Sequence, residues 1–187
     1  MSTTITAETI EGYRTGTWVI DPSHSEIGFT VRHLAISKVK GVFERFDATV
    51  EAAPNPADST VTVTIEVASI NTKNADRDAH LRTNDFFAPD DHPTITFVST
   101  GLRVESGDLL LDGDLTLRGV TKRITLKGEF GGIATDPWGK VKAAASGTAV
   151  INRHDFGVSW NSALETGGFL LGDEVTLHID AQFTLQG

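Results

Sequence analysis

Apolar and polar residues alternate singly along most of this chain, and that period admits one kind of element. Residues 61–67 read Val-Thr-Val-Thr-Ile-Glu-Val. Consecutive side chains on a strand point to opposite faces, so such a run offers one face to a core and the other to water. The same beat recurs in residues 27–31, 46–52, 95–97, 109–117, 124–130, 141–151 and 175–185, which makes the fold class all-β. Turn-forming clusters separate the runs: Asp21-Pro22-Ser23, Pro54-Asn55-Pro56-Ala57-Asp58, Arg118-Gly119 and Thr135-Asp136-Pro137-Trp138-Gly139. The short links at 106–108 and 118–120 predict hairpins between antiparallel neighbours.

One segment breaks the beat. Asn74 to Phe87 has no period-two pattern, begins with a residue suited to capping, and carries acidic residues in its first turn. It predicts a short helix, with Leu81, Phe86 and Phe87 as its apolar contacts and Pro89 as its stop. One helix among antiparallel strands points to a barrel with a lid or plug. Residues 1–15 show no sustained period and are read as an N-terminal arm, with residues 16–187 forming the barrel domain.

Charge and composition exclude several partners. A formal net charge of -9 and a pI near 5.0 disfavour nucleic acid, which is held by clustered Lys and Arg, and predict repulsion from an anionic membrane surface over a Debye length of about 8 Å. Cysteine is absent, which removes disulfides, thiolate nucleophiles and Cys-based zinc sites. The first twenty residues lack a basic start and a continuous apolar core, and Glu8 and Glu11 interrupt them, unlike a secretory signal. No run approaches the roughly 18 apolar residues of a membrane-spanning helix. The expectation is a soluble, cytoplasmic protein without a membrane span.

What fills the barrel is the informative question. On the face of 141–151 that carries its odd-numbered residues stand Val141, Ala143, Ala145, Gly147, Ala149 and Ile151, and the middle four are small. A barrel of about eight strands is just wide enough to be plugged by its own side chains or to hold one slender ligand. Bulk from Phe29, Phe46, Phe97, Leu115 and Phe183 could fill the width opposite those small residues. Alternation alone leaves a filled and an open interior equally available.

The residues between the strands are more specific. Asp21-Pro22-Ser23-His24-Ser25, Val31-Arg32-His33, Gly41-Val42-Phe43, Ala68-Ser69-Ile70-Asn71-Thr72, Arg77-Asp78-Ala79-His80-Leu81, Asp85-Phe86-Phe87, Pro93-Thr94-Ile95-Thr96-Phe97, Gly113 to Thr121 and Asn152-Arg153-His154-Asp155-Phe156-Gly157 follow in order. This series resembles the YceI-like family of bacterial polyisoprenoid-binding proteins over about residues 17 to 185. The resemblance implies an extended, lipocalin-like antiparallel β-barrel of eight strands with a short helical insertion. It also implies a long apolar pore holding an isoprenoid or similar long-chain lipid, and a homodimer. Two features depart from it: many relatives carry an export signal, and His92 stands where an aromatic residue commonly precedes Pro93.

With that implication, alternation assigns to the pore lining Phe29, Val31, Phe46, Phe97, Leu115, Leu117, Ala143, Ala145, Gly147 and Ala149. Phe86, Phe87 and Trp160 are placed near an opening. Arg77 and Arg153 are the candidates for pairing with a phosphate head group, since a guanidinium binds phosphate oxygens bidentately; the competing reading makes both arginines structural ties. The six histidines lack metal-binding spacing. No Gly-x-Ser-x-Gly elbow, Walker loop or dinucleotide fingerprint occurs. The expectation is therefore a non-catalytic binding protein without a cofactor. An enzyme acting on a prenyl substrate inside the pore and a structural barrel with a filled core are the alternatives.

Overall fold

The computed structural model describes residues 2–165 and 167–187. Among the described residues, twelve strands and one α-helix follow in chain order: β1 (Ser2–Thr3), β2 (Gly16–Ile20), β3 (Glu26–His33), β4 (Ser37–Phe43), β5 (Phe46–Ala52), β6 (Thr60–Glu66), β7 (Ile70–Asn71), α1 (Ala75–Leu81), β8 (Thr94–Glu105), β9 (Asp108–Leu117), β10 (Val120–Thr135), β11 (Val141–Asn152) and β12 (Leu171–Leu185). Eight of the strands close into an antiparallel barrel in the order β2-β5-β6-β8-β9-β10-β11-β12, with β12 returning to β2. The all-β barrel read from the sequence is what the structure shows. At roughly 3.3 Å per residue, a strand as long as β10 spans about 50 Å, so the barrel is tall for its girth.

Its height comes from strands laid end to end. β12 pairs with β3 from Leu171 to Asp180 and with β2 from Phe183 to Leu185, so β2 and β3 form one wall strand broken at residues 21–25. β4 and β5 continue each other in the same way, since β4 pairs with β3 and β5 with β2. β7 pairs with β4, and β6 with β5. The lower storey is thus a closed ring, and the upper storey adds β3, β4 and β7 as an extension. The break at 21–25 is held by Asp21, whose carboxylate accepts from the Ser23 amide and hydroxyl and meets His24 Nδ1 at 3.0 Å.

Helix α1 forms where the beat fails. Asn74 caps it by accepting from the Arg77 amide at 3.0 Å. Buried Asp78 on its inner side accepts from the amide and hydroxyl of Thr72 at 2.9 and 2.6 Å. Arg82 then ties the helix end to the carbonyls of Ala68 and Ile70. Residues 2–15 pack on the opposite end of the barrel: β1 pairs with β8, Ile5 is buried, and the Tyr13 hydroxyl donates to the Ala53 carbonyl.

Two cross-strand glycines let aromatic rings lie flat on the sheet. Phe29 faces Gly41 in register, and a Cβ at Gly41 would fall 2.4 Å from its ring. Phe97 leans over Gly113, where a Cβ would fall 2.3 Å from the ring. Gly41→Ala therefore forces a buried ring to shift, which overpacking data place at about 1–3 kcal/mol of lost stability. A lower urea midpoint with unchanged m-value is the expected outcome, and an unchanged midpoint would show that the ring is free to move. Acid sensitivity gives a second test. Hydrogen bonds from Ser23 and His24 hold the Asp21 carboxyl well below its ordinary pKa of 3.8. Its stabilising contribution is thus complete above that value and lost as pH falls through and below it. Denaturant titrations should show wild type losing stability faster than Asp21→Asn below about pH 4, with a constant difference at neutral pH.

Candidate functional site: a two-chambered barrel interior

The small residues on β11 do face inward, and they do so opposite more small residues. β11 alternates between inner positions 143, 145, 147 and 149 and exposed positions 144, 146, 148 and 150. Ala145 lies across from buried Ala181 of β12, and Ala48 and Ala52 of β5 contribute further short side chains to the same end of the barrel. The interior consequently stays open in two chambers stacked along the barrel.

The upper chamber has a volume of about 450 Å³ and is lined by Phe29, Val31, Phe86, Phe87, Phe97, Leu115, Leu117, Arg77, Arg153 and Trp160, among others. The lower chamber, about 720 Å³, is bounded by Ala143, Ala145 and Gly147 of β11, by Trp18, Phe130 and Phe183, and by Ile5, Ile10 and Tyr13 of the arm. Val63, Phe97, Leu126 and Ile179 border both and form a waist between them. Each volume lies within the roughly 300–1,000 Å³ of small-molecule pockets.

Two sequence-assigned lining residues do not border either chamber. Phe46 is on the inner face, as alternation requires, but it opens β5 at the break between β4 and β5, and its half-buried ring packs into the hydrophobic cluster beside Ile65. Ala149 is buried and points inward across from Leu177. Leu177 reaches the void and Ala149 does not. The sequence reading missed the arm residues, which have no periodicity to mark them. It also missed Ile65, Ile95, Leu126, Leu177 and Ile179, whose inward positions follow from the same alternation and were recoverable from it.

An aromatic cluster stands at the upper mouth. Phe86 and Trp160 lie 5.3 Å apart by ring centroid, and His80 packs edge-on against both at 5.0 and 4.8 Å. His80 Nε2 is 2.9 Å from Asp85 Oδ2, which fixes the imidazole. Arg118 joins the two segments that carry these rings, donating to the Asn84 and Gly157 carbonyls at 2.7 Å each.

The two candidate arginines are engaged differently. Arg153 is 4% exposed and gives Nε to the Gly172 carbonyl and Nη1 to the carbonyls of Val158 and Trp160. Its Nη2 has no hydrogen bond and lies 3.9 Å from Asp173. Burial pushes this guanidinium below the ordinary arginine pKa, with Asp173 opposing the shift. Arg77 gives Nε and Nη2 to the hydroxyl and carbonyl of Thr72, and Nη1 takes part in neither bond. Both arginines thus fasten backbone while lining the upper chamber. Each keeps one nitrogen outside those bonds, Nη1 of Arg77 and Nη2 of Arg153.

Asp, Ser and His side chains meet at the break between β2 and β3 without the geometry of a triad. Asp21, Ser23 and His24 contact one another, but His24 uses the same nitrogen, Nδ1, toward both Ser23 and Asp21. A triad needs one ring nitrogen for the nucleophile and the other for the carboxylate. This cluster is a side-chain-stabilised turn. Among the described residues, no group of three or more His, Asp or Glu side chains converges as a metal site, and no helix is long and apolar enough to cross a membrane.

Comparison with known proteins agrees with this architecture. The UPF0312 protein SAS2572 of Staphylococcus aureus is 39% identical over 170 residues, covering 90% of this chain and 97% of its own. The YCEI protein of Campylobacter jejuni has a solved structure that superposes with a TM-score of 0.71 at 32% identity, covering 95% of this chain and 100% of that one. Two more distant structures match in fold. BcnA of Burkholderia cenocepacia has a TM-score of 0.73 at 22% identity, covering 87% and 98% of the two chains. A polyisoprenoid binding domain from Saccharophagus degradans, implicated in plant cell wall breakdown, has a TM-score of 0.68 at 13% identity, covering 90% and 98%. The YceI-like domain model matches residues 18–183, and the chain belongs to the YceI-like family.

Proposed function

We propose that this protein reversibly binds an isoprenoid or similar long-chain amphiphilic lipid inside the barrel and stores or carries it. The open, predominantly apolar interior is the observation that carries this reading: a filled barrel would have no space to offer. The polyisoprenoid binding domain that shares the fold gives the reading independent support.

Apolar contact alone supplies the driving force. Burying each CH₂ contributes about 0.8 kcal/mol, so a few isoprene units offer roughly ten kcal/mol of gross transfer energy before association entropy reduces it. A cavity held open by a closed ladder is already formed, which removes part of the ordering cost. The tail would run through the waist into the lower chamber beside Ala143, Ala145 and Gly147. The head group would remain at the upper mouth, near the Nη1 side of Arg77 and the rings of Phe86 and Trp160, with Arg153 behind them.

Mass spectrometry of an organic extract from natively purified protein should release a lipid with a long apolar tail, and an empty extract from protein purified without detergent would count against the proposal. Ala145→Phe places a ring in the lower chamber. Displacing two CH₂ groups of tail corresponds to about tenfold weaker retention, with the thermal midpoint unchanged because the ring enters space that was open. Retention equal to wild type would move the tail out of the lower chamber. Arg77→Gln should weaken a polyprenyl phosphate more than the corresponding polyprenyl alcohol, by roughly tenfold for a charge-assisted bond. Equal loss for both ligands would make Arg77 a scaffold residue only.

A further inference from the structure

The tip of the β3–β4 hairpin is apolar, exposed and conformationally strained. His33 faces Ser37 across the ladder, which leaves Leu34, Ala35 and Ile36 as the loop. The Ile36 amide donates to the His33 carbonyl at 3.3 Å, and Leu34 and Ala35 both adopt left-handed backbones, with φ of 56° and 57°. Two consecutive residues of this kind make a type I′ turn, for which Asn and Gly are the favoured residues. Leu and Ala resist that conformation. Strain held by an exposed turn points to a role for the side chains it displays. Ile36 is 84% exposed. Phe169, also exposed, precedes Leu170, whose carbonyl accepts the Leu34 amide at 2.9 Å.

Charge on the hairpin itself runs against that of the molecule, while the adjoining β12 segment carries exposed Asp173 and Glu174. Residues 27–43 contain Arg32, Lys38 and Lys40 and no Asp or Glu, in a chain whose net charge is -9. All three cations are exposed, and none forms an ion pair among the described residues. Arg32 reaches the Ala35 carbonyl at 3.4 Å, so one cation stands inside the turn. The same hairpin borders the cavity: Val31, His33 and Val39 line the upper chamber, together with Leu170 and Leu171 of the adjoining segment. The apolar tip and its basic collar therefore flank the upper mouth.

We propose that the β3–β4 tip docks the protein on an anionic phospholipid bilayer, setting the upper mouth against the lipid surface. The proposal rests on the lipid-binding function above. Ile36 and Leu34 would enter the interfacial layer while Lys38, Lys40 and Arg32 meet the anionic head groups. The acidic remainder of the molecule is repelled, but that repulsion is screened beyond a Debye length of about 8 Å. The three hairpin cations thus favour the orientation in which the tip meets the bilayer.

Flotation of the full-length protein with vesicles of equal parts phosphatidylglycerol and phosphatidylcholine tests the proposal. Wild type is expected to float with these vesicles, less with pure phosphatidylcholine, and less at high salt. Lys38→Gln with Lys40→Gln should lower vesicle affinity by about 25-fold, from roughly fivefold per cation. Leu34→Asn, Ala35→Gly and Ile36→Ser together install residues that a type I′ turn prefers. That triple variant should melt no lower than wild type and yet lose vesicle affinity. A fluorescent polyprenyl lipid supplied from ethanol should load both proteins alike, whereas loading from vesicles should be markedly slower in the triple variant. Absence of wild-type flotation, or equal flotation of wild type and variants, overturns the docking role. Conversion of a dimer to a monomer in the triple variant with unchanged flotation also overturns it and assigns the tip to a second copy of the chain. Failure of wild type to load from ethanol overturns the lipid-binding reading itself, and flotation still reports on docking separately.

Discussion

Pairing of β11 with β12, from Lys142–Thr184 to Asn152–Glu174, turns a curled sheet into a tube. A closed ladder satisfies the peptide groups of its walls without recourse to the interior. Side chains inside the tube are therefore free of any duty to pair backbone, and short apolar ones suffice there. Were the sheet open, collapse of its inner face on itself would be the ordinary way to bury it. Closure fixes the girth, and the small residues of β5, β11 and β12 then leave space that no neighbouring strand can move in to fill.

Polar chemistry is correspondingly pushed to the ends. The guanidinium groups of Arg77, Arg82, Arg118 and Arg153 bind carbonyl oxygens of loops and broken strands, in places where the ladder is interrupted and acceptors would otherwise be left over. Asp78 does the same for the Thr72 amide. The upper mouth is thus a frame of charge-assisted hydrogen bonds around an apolar opening. Its charged residues were conspicuous in the sequence because they support this frame, and most of their donors are already committed.

The sequence made the strands legible because half-buried strands must alternate. It exposed α1 through the loss of that period and through Asn74. Inner and outer faces of β11 could be read residue by residue, and the family resemblance carried the closed barrel. Other features depend on distant pairings that no local pattern records. That β2 and β3 share one neighbour, β12, is one example, and the crossing of the lower end by residues 4–13 is another. Phe46 shows the limit of face assignment: alternation fixes the direction of a side chain and says nothing of whether the space ahead of it is empty. The β3–β4 tip escaped notice for the opposite reason, since Leu34 and Ala35 are poor turn residues and gave no turn signal.

The arm has a consequence for kinetics. Its backbone joins β8 through Ser2 and Thr3, passes Ile133 of β10 at Gly12 and fastens near Ala53 through Tyr13, so a segment of chain lies across the lower end of the tube. A guest molecule that enters from above tail foremost and leaves the same way must withdraw its whole tail. Each added carbon then lengthens the retreat as well as deepening the hold, and dwell time should climb with chain length more steeply than a shallow surface groove would allow.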